Sequence, residues 1–329
     1  MADDGAGSAG AVLASRLSKD PDLSLLLLEA GGAGTGRWID ILIGYFKTDP
    51  NLLDWTIAWP RGRGLGGISL INGMLYLRGH KRDYDHWHAL GNEGWDWTSG
   101  QPYFERSLLN ARPGGGQQGA GLWVTGIPRD DLSEAFIAPA QACGIPKKED
   151  FNDGDNAGAA YVKMTTRNGR RISSARGFLY PVRERTNLHV KMGCHARRIV
   201  TEKGRALGVK AIASDESLLY RARHQVVLSC GAVQSPLLLQ FCGIGDPDQL
   251  RALLIDVVSP LPGVGKNLQD HLQFRPTYRL RGIETLNEIA NSRVRSLREY
   301  LHYLLTGGGV LNSGVFRASA FFSAERDSD

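Results

Sequence analysis

Glycines at positions 5, 7 and 10, in Gly5-Ala6-Gly7-Ser8-Ala9-Gly10, are spaced to bring a backbone up against phosphate groups. In this pattern Gly5 makes the tight turn, Gly7 lets the chain approach a pyrophosphate, and Gly10 lets the next helix lie close to a sheet. That helix starts at Ser8, where its first N–H groups and the positive end of its dipole favour an anion. Leu25-Leu26-Leu27-Leu28 then leads into Glu29, near the ~20-residue spacing at which an acid accepts ribose hydroxyls. The chemistry implied is binding of a dinucleotide. A buried strand should precede the motif, and the four residues before Gly5, two of them acidic, are not the apolar run of a central parallel strand. The first strand is therefore expected to be missing.

A second stretch, Arg61-Gly62-Arg63-Gly64-Leu65-Gly66-Gly67, interleaves cations with glycine N–H groups. It suits an anion-binding concavity, with a mobile basic loop as the alternative. The other chemistry-bearing side chains carry less. His86 and His88 are two apart on an expected helix and face different ways, so they read as surface or packing residues. The four cysteines (Cys143, Cys194, Cys230, Cys242) form no C-x-x-C pair and are read as reduced and mostly buried.

The elements that must position these groups follow from pattern. Residues 8–19 are helical in spacing and are stopped by Asp20-Pro21; residues 23–29 read as a buried parallel strand. Helices are expected near 83–88, at 99–109 and at 133–142, the last bent by Pro139. Asn168-Gly169 marks a type I′ hairpin between 161–166 and 170–172. Segments 188–191, 198–201 and 208–212 suggest an antiparallel excursion, and 224–229 a return to a buried strand. Ser235-Pro236 reads as the cap and first position of a helix that ends near Gly243-Ile244-Gly245. Pro262-Gly263-Val264-Gly265-Lys266-Asn267 reads as a tight loop, residues 286–305 as helical, and 114–121 as a flexible connector. Residues 39–56 carry no clear pattern.

Composition sets the bounds. The 329 residues suffice for two domains. Glycine, at 41 residues, exceeds the usual ~7% without a collagen period and points to many turns and close backbone approaches. A net charge of +5, spread along the chain and lacking any nucleic-acid motif, describes a solvated surface. No apolar run reaches membrane-helix length, and the first residues do not form a signal peptide. The expected location is cytoplasmic, compatible with peripheral membrane association.

Several stretches together resemble the glucose–methanol–choline (GMC) oxidoreductases, FAD enzymes that oxidise alcohols. Residues 5–10 with Leu27-Leu28-Glu29-Ala30-Gly31 are similar to the family's FAD-binding start. Residues 62–74, followed by Arg78-Gly79 and Asp83-Tyr84-Asp85, resemble its first signature. Residues 231–239 with Gly243-Ile244-Gly245 resemble its second, and 168–175 and 262–271 match runs of the choline-dehydrogenase-like branch.

The resemblance implies noncovalent FAD. Gly5, Gly7, Ser8 and Gly10 would hold the pyrophosphate, Glu29 the ribose, and Gly64, Gly66 and Gly67 the phosphate and flavin side. Asn72, Gly73, Met74 and Leu75 would run past the isoalloxazine ring, and Ala196 would meet the adenine. Ile71 stands where some members attach FAD through a histidine. Ile68 and Cys242 depart from the small residue and the serine of the two signatures. None of the eight histidines matches the catalytic position, and His271 reads as structural. The chain thus looks like the N-terminal portion of a longer enzyme and inactive by itself.

The expected fold is α/β: a Rossmann-like FAD-binding domain at 1–110 and 187–270, and an incomplete α+β substrate domain at 111–186 and 271–329. The implied partner is a small-molecule alcohol; the electron acceptor is unknown. A truncated, non-catalytic FAD fold and an NAD-dependent dehydrogenase are the alternatives.

Overall fold

The computed structural model describes residues 2–41, 60–110, 119–274, 276–283, 285–306, 308–312, 314 and 316–323. Most of the unpatterned 39–56 segment and of the 114–121 connector lies outside these residues. The chain divides into two units: Met1–Thr35, Thr48–Ile71 and Ser173–Thr277 form one, and Gly36–Lys47, Asn72–Ile172 and Tyr278–Asp329 the other. This division differs from the sequence expectation at 36–47, 72–110, 173–186 and 271–277. Residues 72–110 are tied into the second unit because Leu75–Tyr76 pairs with Lys163–Met164 and Asn152 accepts from the Arg78 N–H at 2.8 Å. Residues 173–186 join the first unit through Arg185, whose Nη1 donates to the Ser15 carbonyl and to Ser18 Oγ at 2.8 and 2.7 Å.

In the first unit a four-stranded parallel sheet runs in the order Val226–Leu228, Ala2–Asp4, Leu25–Leu28, Leu188–Lys191. The expectation of a missing first strand is corrected. Ala2–Asp4 sits in the middle of the sheet, paired on both sides, Asp3 facing Val227 and Leu27. Backbone pairing on both edges places this short segment, whereas the sequence rule weighed only its side chains. Leu25, Leu27 and Leu28 are at most 1% exposed, as expected for a strand covered on both faces. Helix Ser8–Leu17 buries Gly10, Ala11, Ala14 and Ser15.

Two further expectations change. Leu188–Lys191 belongs to the parallel sheet, not to the antiparallel excursion. That excursion is a three-stranded meander of Cys194–Glu202, Arg205–Ala213 and Glu216–Arg221. Leu28, Cys194, Val209 and Ala211 form a shared core. The helix expected to open at Ser235 instead runs Gly231–Phe241, with Pro236 inside it. Proline removes one i→i−4 bond, and starting the helix earlier brings its N-terminus directly after the Val226–Leu228 strand. The cysteines are free; Cys194 and Cys242 are buried, Cys230 is partly so and Cys143 is exposed.

In the second unit the described α-helices are the short Arg37–Asp40, then Lys81–Ala89, Trp97–Ser107, Asp131–Ala142, Leu286–Ala290 and Arg293–Thr306. Asp96 caps Trp97–Ser107 and Asp130 caps Asp131–Ala142, each accepting from the N–H three residues on. The hairpin at Asn168-Gly169 forms as expected, with φ of 49° and 70°, the two positive values a type I′ turn requires. No described helix is long and apolar enough to cross a membrane.

Candidate nucleotide-binding site

Strand Ala2–Asp4 delivers the chain into the Gly5 turn, and the site grows from there. Gly5 has φ +107°, and a Cβ on it would lie 2.6 Å from the Ser229 carbonyl oxygen. A Cβ on Gly10 would lie 1.9 Å from the Gly5 carbonyl oxygen, so only glycine lets the helix sit this close. Gly7 is different. Its Cβ would meet nothing nearer than 3.9 Å, and the space it would enter belongs to a cavity of about 490 Å³. Gly7 caps helix Ser8–Leu17 without a side-chain bond, which leaves the first N–H groups of the helix beside that cavity.

Glu29 closes one side. The residue is 6% exposed and lines the cavity. Oε1 accepts from the N–H groups of Gly31 and Gly64 at 2.8 and 3.0 Å, and Oε2 from that of Ala6 at 3.0 Å. Three glycine-rich segments therefore meet on one carboxylate, which accepts three of the roughly four hydrogen bonds it can take. The second glycine stretch is thus an ordered wall rather than a mobile loop. Gly66 N–H donates to Ala6 O at 2.8 Å and Gly67 N–H to Gly64 O at 2.8 Å. Ser174 pins the same stretch, its hydroxyl donating to Gly66 O at 3.1 Å and lying 3.0 Å from Ser69 Oγ.

Of the residues expected at the site, Gly5, Gly7, Ser8, Glu29, Gly67 and Ala196 line this cavity. Gly10, Gly64 and Gly66 stand behind it as support. Asn72, Gly73, Met74 and Leu75 belong to the second unit. There Asn72 Oδ1 accepts from the Met74 N–H at 3.2 Å, and Leu75 pairs with Met164. Ile68, the departure from the first signature, also lines the cavity. Cys242, the departure from the second, is buried and accepts the Ile199 N–H at 3.2 Å, as a serine oxygen in that place could.

Sequence reasoning missed His195, Ser229, Cys230 and Gly231 as lining residues. A signal existed for the last three: a buried strand, a glycine turn and a helix recur there, the same order as at the N-terminus. His195 had none. It is half-buried, and burial first, then the charges of Arg197 and Arg63, hold its imidazole below the usual 6.5. A folded state that resists protonation is most stable above the unfolded value and loses that contribution as pH falls below it. His195→Gln is expected to flatten the fall in Tm between about pH 7 and 5. An unchanged slope would assign the acid sensitivity to other groups.

The family model described as GMC oxidoreductase covers residues 4–273. Mitochondrial choline dehydrogenase of Mus musculus is 40% identical over 293 residues, which are 82% of this chain and 49% of that protein. Oxygen-dependent choline dehydrogenase of Sinorhizobium medicae is 38% identical over 82% of this chain and 52% of its own length. Among solved structures, pyridoxine 4-oxidase from Mesorbium loti superposes with a TM-score of 0.76 at 32% identity, over 82% of this chain and 57% of that one. Aspergillus oryzae formate oxidase, at 22% identity and a TM-score of 0.85 over 97% of this chain and 60% of that one, shows the shared fold. The chain spans about half the length of the curated relatives it matches. With the glycine turn, the acid and the second signature matched within one continuous run, this chain belongs to the GMC oxidoreductase family.

Proposed function

We propose that the chain binds FAD noncovalently and supplies the cofactor-binding part of an oxidoreductase acting on the CH–OH group of a small alcohol. The carrying observation is the space in front of Gly7, where a Cβ would meet nothing nearer than 3.9 Å, in a cavity lined by the helix N-terminus, Glu29 and the glycine walls. Those groups fit a diphosphate with its adenosine. Residues 5–10 bind the pyrophosphate through backbone N–H groups, Glu29 offers its remaining acceptor capacity to the ribose, and Ala196 borders the adenine. Residues 72–75 lie along the isoalloxazine ring in this reading. When bound, FAD accepts the hydride of the alcohol carbon. Ile71, in place of a histidine, supports noncovalent attachment, and relatives named choline dehydrogenase and pyridoxine 4-oxidase support an alcohol donor.

Since none of the eight histidines matches the family's catalytic position, the 329-residue polypeptide is expected to hold FAD without turning over alcohol. The test is purification of this polypeptide followed by FAD titration, denaturation to release the flavin, and dye reduction with choline. Yellow protein whose flavin is freed by denaturation supports the reading. Failure to take up FAD would refute the cofactor, and reduction by choline would refute the inactivity.

A further inference from the structure

Arg171 is 1% exposed, an uncommon place for a guanidinium, because a buried charge needs hydrogen-bonded partners. The Asn168-Gly169 hairpin carries it there, with Arg171 opposite Thr166. Its Nε donates to the Ile39 carbonyl at 3.1 Å, and its Nη1 to both the carbonyl and Oδ1 of Asn72, at 2.7 and 2.8 Å. The same Oδ1 accepts from the Met74 N–H. Met74 is 1% exposed and has φ +63°, in the left-handed region that residues with a Cβ rarely enter. From the other side, the Met74 carbonyl accepts from the Thr165 N–H and hydroxyl at 2.9 and 3.3 Å. A non-glycine residue stays in this conformation only where its surroundings over-determine it, and such residues gather at ligand sites.

We propose that Arg171 is a positioning residue: acting through Asn72, it holds Met74 in its left-handed shape so that residues 72–75 are preset for the flavin ring. This rests on the FAD reading above. Its planar fork is what reaches two segments together, Nε to Ile39 and Nη1 to Asn72. A lysine ammonium, one nitrogen on a flexible stem, does not hold both in the same geometry.

The experiment compares Arg171→Lys, Met74→Gly and the double variant in the full chain. Thermal unfolding without ligand is measured, then titration with FAD and with ADP, the probe for the nucleotide cavity alone. Arg171→Lys is expected to lower Tm by about 5 °C and to raise the Kd for FAD about tenfold, with the ADP Kd unchanged. In the Met74→Gly background the same change should raise the FAD Kd less than about twofold, because glycine needs no support at positive φ. Asn72→Ala should reproduce Arg171→Lys and replaces it if that variant does not fold. A full tenfold loss persisting in the glycine background overturns the proposal. So does an unchanged FAD Kd in Arg171→Lys, in which case the FAD reading stands. Wild-type protein that binds ADP but not FAD overturns the FAD reading and the proposal with it.

Discussion

Glu29→Ala is expected to destabilise the ligand-free protein by roughly 3 kcal/mol or more, because three backbone donors lose their acceptor at about 1–3 kcal/mol each. The donors are Ala6, Gly31 and Gly64, from three separate segments, so the loss also frees those segments from one another. FAD affinity is expected to fall about 10- to 100-fold from the lost charge-assisted bonds to the ribose. Glu29→Gln keeps the size but turns an NH₂ group toward N–H donors, so it should recover only part of the stability. The measurement is denaturant unfolding of the apoprotein beside FAD titration. A variant with unchanged apoprotein stability and weaker FAD binding would show that the carboxylate serves the ligand alone.

Gly10→Ala and Gly7→Ala are expected to separate fold from ligand. At Gly10 the new methyl would lie 1.9 Å from Gly5 O and 2.7 Å from Ser229 Oγ, contacts relieved only by moving the helix off the turn. That strain should cost roughly 3 kcal/mol or more. At Gly7 the nearest atoms, Gly67 Cα and Ser229 O, are at 3.9 Å, an ordinary contact. Stability should change by less than about 0.5 kcal/mol. The methyl then occupies the space proposed for the pyrophosphate, and FAD affinity should fall about 100-fold, near 2.7 kcal/mol. The reverse pattern, a destabilised Gly7→Ala that binds FAD normally, would refute the assignment of that space.

Sequence reasoning read well where one short stretch determines its own geometry. Asn168-Gly169 takes two positive φ values whatever surrounds it, and the Gly5–Gly7–Gly10 spacing speaks for a turn and a close helix. It failed where the partner lies far away in sequence. Leu188 and Val190 alternate as they would in either kind of sheet, and only pairing with Leu25 and Leu27 decides which. Ala2–Asp4 is a central strand because two distant strands flank it, which no property of its own side chains announces. Arg171 follows the Asn168-Gly169 turn beside a second arginine, and sequence alone does not separate the two, yet the hairpin buries Arg171 and leaves Arg170 exposed.

The chain leaves the nucleotide-binding unit after Ile71 and returns at Ser173. Within the first unit Ser69 and Ser174 are hydrogen-bonded, and within the second Asn72 and Arg171 are. Both ends of the excursion from 72 to 172 are therefore already held together, within the unit that sends it out and within the unit that receives it. Closing a long loop costs entropy only as the logarithm of its length, and here even that cost falls on ends that are pinned. To the nucleotide-binding unit the whole excursion behaves as one tight turn, so lengthening it would add little to the cost of keeping the cradle in shape.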